Sequence, residues 1–188
     1  MNKGIATVFF SIMLAPGMVK SQVVNESAIK IGKTPANGFV AISRNSKADL
    51  IDILKDQLGA EGLKKHGRKH KFTDYKGVVW HVTGANRVDL YYKVTGNKKR
   101  SKVYFIASKG YDNYITSATD QTNSAAITAY LGTLDAAVAK KEELKVKEAE
   151  LNALNEKLES EKTAVKKTEA AKTQKAIEVK KYEKTEAY

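Results

Sequence analysis

Four runs rich in β-branched and aromatic residues follow one another with only short links between them: RKHKF (68–72), GVVWHV (77–82), VDLYYKV (88–94) and KVYFIAS (102–108). The links are TDYK, TGAN and TGNKKRS. A crossover between parallel strands needs about a dozen residues or more, so these links permit only hairpins. The four strands are therefore expected to form an antiparallel meander.

Upstream, GFVAIS (38–43) reads as a further strand. The stretch SKADLIDILKDQLGAEGL sets Leu50, Ile51, Leu54 and Leu58 at helical spacing, with Ser46 placed to cap its start and Gly59 or Gly62 to stop it. Beyond the polar stretch TSATDQTNS (116–124) the chain turns to Ala, Lys, Glu and Leu, the composition of long helices and coiled coils. The fold class is therefore α+β. An antiparallel meander sheet in the order β-α-β-β-β-β-α carries helices against one face, and a long C-terminal helix or coiled coil follows. Over residues 38–135 this element order resembles the TATA-binding-protein-like and helix-grip folds. The resemblance rests on element order and implies an architecture without a function, since such folds host unrelated activities.

The amino terminus has a lysine at position 3, an apolar run from Ile5 to Leu14, and Pro16-Gly17 before small residues. That is the pattern of an export signal, with cleavage expected after Ser21 or, alternatively, after Ala15. The apolar run falls short of the roughly 20 residues of a membrane-spanning helix. The expected organisation is a signal peptide over 1–21, an N-terminal segment over 22–37, a globular domain over 38–123 and a helical tail over 124–188. The chain has no cysteine, which removes disulfides, thiolate chemistry and lipid attachment at cysteine. Export points to a periplasmic or extracellular protein with no spanning segment after cleavage.

In the tail, Leu131, Leu134 and Val138 begin an apolar stripe, and Leu144, Leu151, Leu158 and Val165 then recur every seventh residue with Leu154 among them. Such spacing is a heptad seam. The six-residue step from Val138 to Leu144 puts the two stripes out of phase, so the seam is expected to twist or break near Lys140 and Lys141. A helix from Ser124 to Lys180 would reach on the order of 85 Å. A domain of about 100 residues has a radius of gyration near 13 Å and cannot cover such a rod. The seam points to self-association or to a protein partner; a solvated single helix held by Glu–Lys pairs is the plainer alternative.

Lysine and arginine number 33 against 21 acidic residues, for a formal charge of +12. Most of the surplus lies in residues 22–135, with 18 basic and 10 acidic side chains. Such a balance favours solubility and anionic partners. With the first hairpin turning at TDYK, Lys64, Lys65, Arg68, Arg87 and Lys109 gather at one pole of the sheet, a candidate contact for an anionic envelope surface. Lys76, Lys98, Lys99, Arg100 and Lys102 gather at the other. Two separate patches without interleaved aromatic rings argue against a nucleic-acid groove.

His66 and His70 stand four residues apart, but Gly67 and the strand-like alternation around them argue against a helical metal site. Phe72, Val78, Trp80 and Val82 are expected on one buried face, with His70 opposite Trp80 and His81 turned away. The loop SKGYDNYI places Tyr111, Asp112 and Asn113 near this region, so His70, Tyr111, Asp112 and Asn113 form a candidate pocket. Asp and Asn equally serve turns by bonding their own backbone. IGKTP echoes the end of a phosphate loop, but Ser27 stands where the earlier glycine is expected and Pro35 where a helix should start, so it reads as a turn; neither a serine elbow nor paired carboxylates on neighbouring strands are present.

These features describe an exported, non-enzymatic interaction or structural protein, with no cofactor and no metal, whose tail self-associates or docks on an envelope component. The rival reading is a small-molecule binder or weak hydrolase using a cleft between the sheet and its helices.

Overall fold

The computed structural model describes residues 22–185, so the expected signal segment lies outside the described residues. Six strands form one sheet: β1 (Val23–Ile31), β2 (Thr34–Ser43), β3 (Gly67–Lys69), β4 (Phe72–Val79), β5 (Arg87–Gly96) and β6 (Ser101–Ser108). Helix α1 (Lys47–Ala60) follows β2, and α2 (Gln121–Gly132) and α3 (Leu134–Thr185) follow β6. The spatial order is β1-β2-β6-β5-β4-β3, with every pair antiparallel. From β2 to α2 the order of strands and helices is the one read from the sequence. Strand β1 is an addition, joined to β2 through the Gly32–Lys33 turn.

Alternation sorts the strands into two faces. Phe39, Ala41, Leu90, Tyr92, Val94, Val103, Phe105 and Ala107 point to the helices and are buried. Helix α1 supplies Leu50, Ile53, Leu54 and Leu58 to this core. Full burial of each large apolar side chain contributes about 1.5–3 kcal/mol. Ser46 caps α1, accepting from the Asp49 N–H at 3.2 Å. The helix ends where Gly62 takes a positive φ of 75°, one of the two glycines expected to stop it. Ile127 and Leu131 of α2 are fully buried, and Tyr130 meets Trp80 edge-on at a centroid distance of 5.0 Å. Glu26 of β1 fixes α2 from the sheet side by accepting from the Ser117 N–H and from the Ser117 and Ser124 hydroxyls.

The opposite face carries a second, smaller core. Ile29, Ala36, Phe72 and Ile106 form a buried cluster there, with Ile31, Val40, Tyr91, Tyr104 and Tyr114 packed against it. Ile29 lies on edge strand β1, whereas Phe72 lies on β4, three strands beyond β2 in the sheet. Only a strongly rolled sheet brings them together. The roll brings the β1–β2 turn against His70, since a Cβ on Gly32 would stand 2.8 Å from His70 Nε2. It also requires glycine at position 38, where a Cβ would lie 2.4 Å from the Phe105 carbonyl oxygen.

Two expectations about the first hairpin are corrected. The turn is His70–Lys71, both at positive φ (49° and 70°), and TDYK lies inside β4. Phe72 and Trp80 also sit on opposite faces, although residues eight apart share a face in a regular strand. The cause is a bulge, with Lys76 and Gly77 together opposing Asp89, which reverses the alternation before Val78. Asp89 holds the bulge by accepting from the Gly77 N–H at 2.8 Å and the Lys76 ammonium at 2.7 Å.

The chain divides into two compact units, the first ending at Ala136 and the second beginning at Ala137. Within the first, α2 and α3 are separated at Thr133, whose hydroxyl donates to the Tyr130 carbonyl at 2.7 Å. The helix runs without interruption through Lys140 and Lys141. Among the described residues, no helix is long and apolar enough to cross a membrane.

Candidate functional site

Helix α1 packs on β5 and β6 and leaves the helix-side surface of β3 and β4 partly uncovered. The gap is a cavity of about 520 Å³ between the flank of α1 and the sheet edge. Lys47, Ile51, Lys55 and Gly59 form one wall, a row four residues apart along the helix, one step round from the buried row. Leu63, Lys65, Arg68 and Lys71 close the edge. Thr73, Tyr75, Tyr92 and Val94 form the floor.

The wall is electrostatically one-sided. Lys47, Lys55, Lys65, Arg68 and Lys71 border the cavity, and its lining includes no carboxylate. Lys93 also contributes to the wall, but its ammonium lies 4.6 and 4.7 Å from the rings of Phe72 and Tyr104 on the other face. On the floor, Tyr75 and Tyr92 stack at a centroid distance of 6.3 Å. Burial, reinforced by Tyr92, pushes the Tyr75 phenol up to about 12. Burial also raises Tyr92, against opposing hydrogen bonds from Thr73 and Tyr75 and the positive charge of Arg68. Both phenols therefore remain neutral hydrogen-bonding groups near neutral pH, and neither supplies a phenolate base.

Of the five expected anion contacts, Lys65 and Arg68 enter this site. Lys64 is exposed beside it. Arg87 donates to the Gly77 carbonyl at 2.8 Å, and Lys109 is paired with Asp120 at 2.6 Å. The common pole followed from a turn at TDYK; with the turn at His70–Lys71, Arg68 pairs with Thr73, which faces Tyr92 midway along β5, away from Arg87 at the start of that strand and Lys109 beyond the end of β6. Lys47, Lys55 and Lys71 join the site through the fold.

The expected pocket residues are spread differently. His70 packs at the Gly32 turn. Tyr111 is exposed at a φ of 49°, Asp112 accepts from the Tyr114 hydroxyl at 3.3 Å, and the Asn113 carbonyl accepts from the Lys109 N–H at 2.9 Å. These last three close the turn after β6. The other histidines have carboxylate neighbours, His66 with Asp74 at 3.1 Å and His81 with Glu61 at 2.6 Å. No group of three His, Cys, Asp or Glu side chains suited to a metal occurs among the described residues.

In the second unit, Leu144, Leu151, Leu154, Leu158 and Val165 are 49–65% exposed. Pairs such as Glu143–Lys147 and Glu159–Lys162, at 2.6 and 2.7 Å, flank them along the helix. Comparison with protein-family models, curated proteins and solved structures returns no match for this chain.

Proposed function

We propose that this is an exported, non-enzymatic interaction protein that pairs with a second copy of itself through α3. The observation that carries this reading is the row of half-exposed apolar residues from Leu144 to Val165 on one helix edge. The row extends for about 32 Å at 1.5 Å per residue. A second copy, parallel and in register, matches it layer for layer: Leu144, Leu151, Leu158 and Val165 at one core position and Leu154 at the other.

Relative magnitudes favour this arrangement. An antiparallel pair centred between Leu151 and Leu154 sets Glu150 beside Lys157 and Glu148 beside Lys162, contacts worth about 0.3–0.5 kcal/mol each. It leaves Leu144 facing Glu161 and Leu158 facing Lys147. The parallel pair buries all five apolar layers, at roughly 1 kcal/mol or more apiece. Its flanks juxtapose Glu143 with Glu148 and Lys157 with Lys162. Lys147, Glu161 and Thr168 also occupy core positions, so the dimer is weak and strengthens with salt.

Sedimentation of the chain from Gln22 onward, beside a Leu151→Lys/Leu158→Lys variant, tests the reading. Lysine preserves helix propensity while charging the seam. A concentration-dependent dimer lost in the variant is expected; monomers in both at millimolar concentration would refute self-association. The N-terminal signal pattern supports export, and the placement of His70, Tyr111 and Asp112 outside the cavity lining counts against the hydrolase alternative.

A further inference from the structure

We propose that the cavity between α1 and the β3–β5 edge is a binding site for an organic phosphate, a phosphomonoester carried on a partly apolar body. The site belongs to the globular unit and is independent of helix pairing.

The argument begins with charge. Lys47, Lys55, Lys65, Arg68 and Lys71 surround one hollow, with no carboxylate in its lining. Like charges converging on a concave surface repel one another and focus a positive potential into the space between them. An anion relieves that repulsion, and a dianion relieves more of it than a monoanion. The five come from three separate parts of the chain: α1, the segment from Lys65 to Arg68, and the His70–Lys71 turn. Arg68 supplies a planar fork suited to two phosphate oxygens, and the lysines act as mobile point charges. Tyr75 and Tyr92, held neutral, add polar groups without adding negative charge.

Size and the apolar wall narrow the class. A volume of about 520 Å³ falls in the range of small-molecule sites. It is far larger than inorganic phosphate requires. Ile51, Leu63 and Val94 line the remainder and reward a ligand that covers them with hydrocarbon. A bare polyanion would leave this part wet. The chemistry recognised is therefore shared by soluble phosphate esters and by the headgroup region of a phosphomonoester lipid.

Calorimetry on the chain from Gln22 onward tests the site with hexyl phosphate, inorganic phosphate and hexanoate as probes. Hexyl phosphate is expected to bind with one saturable site, at least tenfold tighter than either comparison ligand. Its affinity should fall several-fold between pH 7.5 and pH 5, because a phosphomonoester loses its second charge near pH 6. Lys65→Ala/Arg68→Ala should weaken it at least tenfold with thermal stability retained, whereas Lys98→Ala/Lys99→Ala should leave it unchanged. No saturable binding of hexyl phosphate, or equal losses in both variants, overturns the proposal. Vesicles containing phosphatidic acid then separate the two ligand sources. Binding to them that hexyl phosphate displaces assigns the site to a lipid headgroup, and saturable hexyl phosphate binding without vesicle binding assigns it to soluble esters. Vesicle binding that ignores hexyl phosphate and survives Lys65→Ala/Arg68→Ala reflects surface charge alone and also overturns it.

Discussion

Lys109 Nζ stands 2.6 Å from Asp120 Oδ2, linking the turn after β6 to the N-cap of α2. The Lys109 hydrogen bond, followed by those from the Asn123 backbone and side chain, lowers the Asp120 carboxyl to about 2 from an ordinary value of 3.8. A depressed carboxyl stabilises the folded state above its unfolded pKa, and that contribution disappears as pH falls through the folded value. Asp120→Ala should therefore cost about 1–2 kcal/mol at pH 7, a large N-cap effect. Urea titrations of the wild type and the variant should converge as pH falls from about 4 towards 2; a gap unchanged at pH 2 would contradict this role.

Much of the fold could be read because its signals are local. Short links dictated hairpins, Ser46 and the spacing of Leu50, Leu54 and Leu58 marked α1, and the β-branched and aromatic runs VDLYYKV and KVYFIAS marked β5 and β6. The misread features depend on contacts distant in sequence. Strand β1 passes through Asn25, Glu26 and Ser27, and Glu26 can point to the helix side because Ser117 and Ser124 satisfy it. The bulge at Lys76–Gly77 reversed the faces of Phe72 and Trp80, yet the carboxylate that holds it belongs to Asp89 on the next strand. Likewise, Lys65 and Arg68 marked the cationic site in part. Lys47 and Lys55 join them only because α1 is offset towards β5 and β6.

Gly38 provides a direct test of the rolled sheet. A methyl group there meets the Phe105 carbonyl at 2.4 Å and Ile106 Cγ1 at 2.8 Å, within the strand pairing that supports the second core. Gly38→Ala should destabilise the globular unit by about 1–3 kcal/mol, the usual range for overpacking. Thermal unfolding followed by Trp80 fluorescence reads the loss. A midpoint equal to that of the wild type would mean that β2 and β6 do not approach this closely.

Gly59 should behave in the opposite way. It lies inside α1 without a positive φ, and no atom stands within 4 Å of the position a Cβ would take, so alanine fits without strain. Gly59→Ala should stabilise the protein by about 0.5–1 kcal/mol through helix propensity. An unchanged or lower denaturation midpoint would show that the flank of α1 bordering the cavity is not a regular helix.

The orientation of the α3 pair can be tested by crosslinking because the chain contains no cysteine to compete. In a parallel, in-register pair, position 144 meets its own copy across the seam, where Cα atoms separated by about 6 Å suit a disulfide. Val146 lies two residues further round the helix and faces away from that seam. Mild oxidation of Leu144→Cys should therefore give a covalent dimer on non-reducing gels, while Val146→Cys should give little. An antiparallel pair centred between Leu151 and Leu154 separates the two copies of position 144 by about 25 Å along the axis, beyond the reach of any disulfide. Crosslinking at Val146 equal to that at Leu144 would indicate chance collision of exposed helices, and the seam would then have no assigned role in pairing.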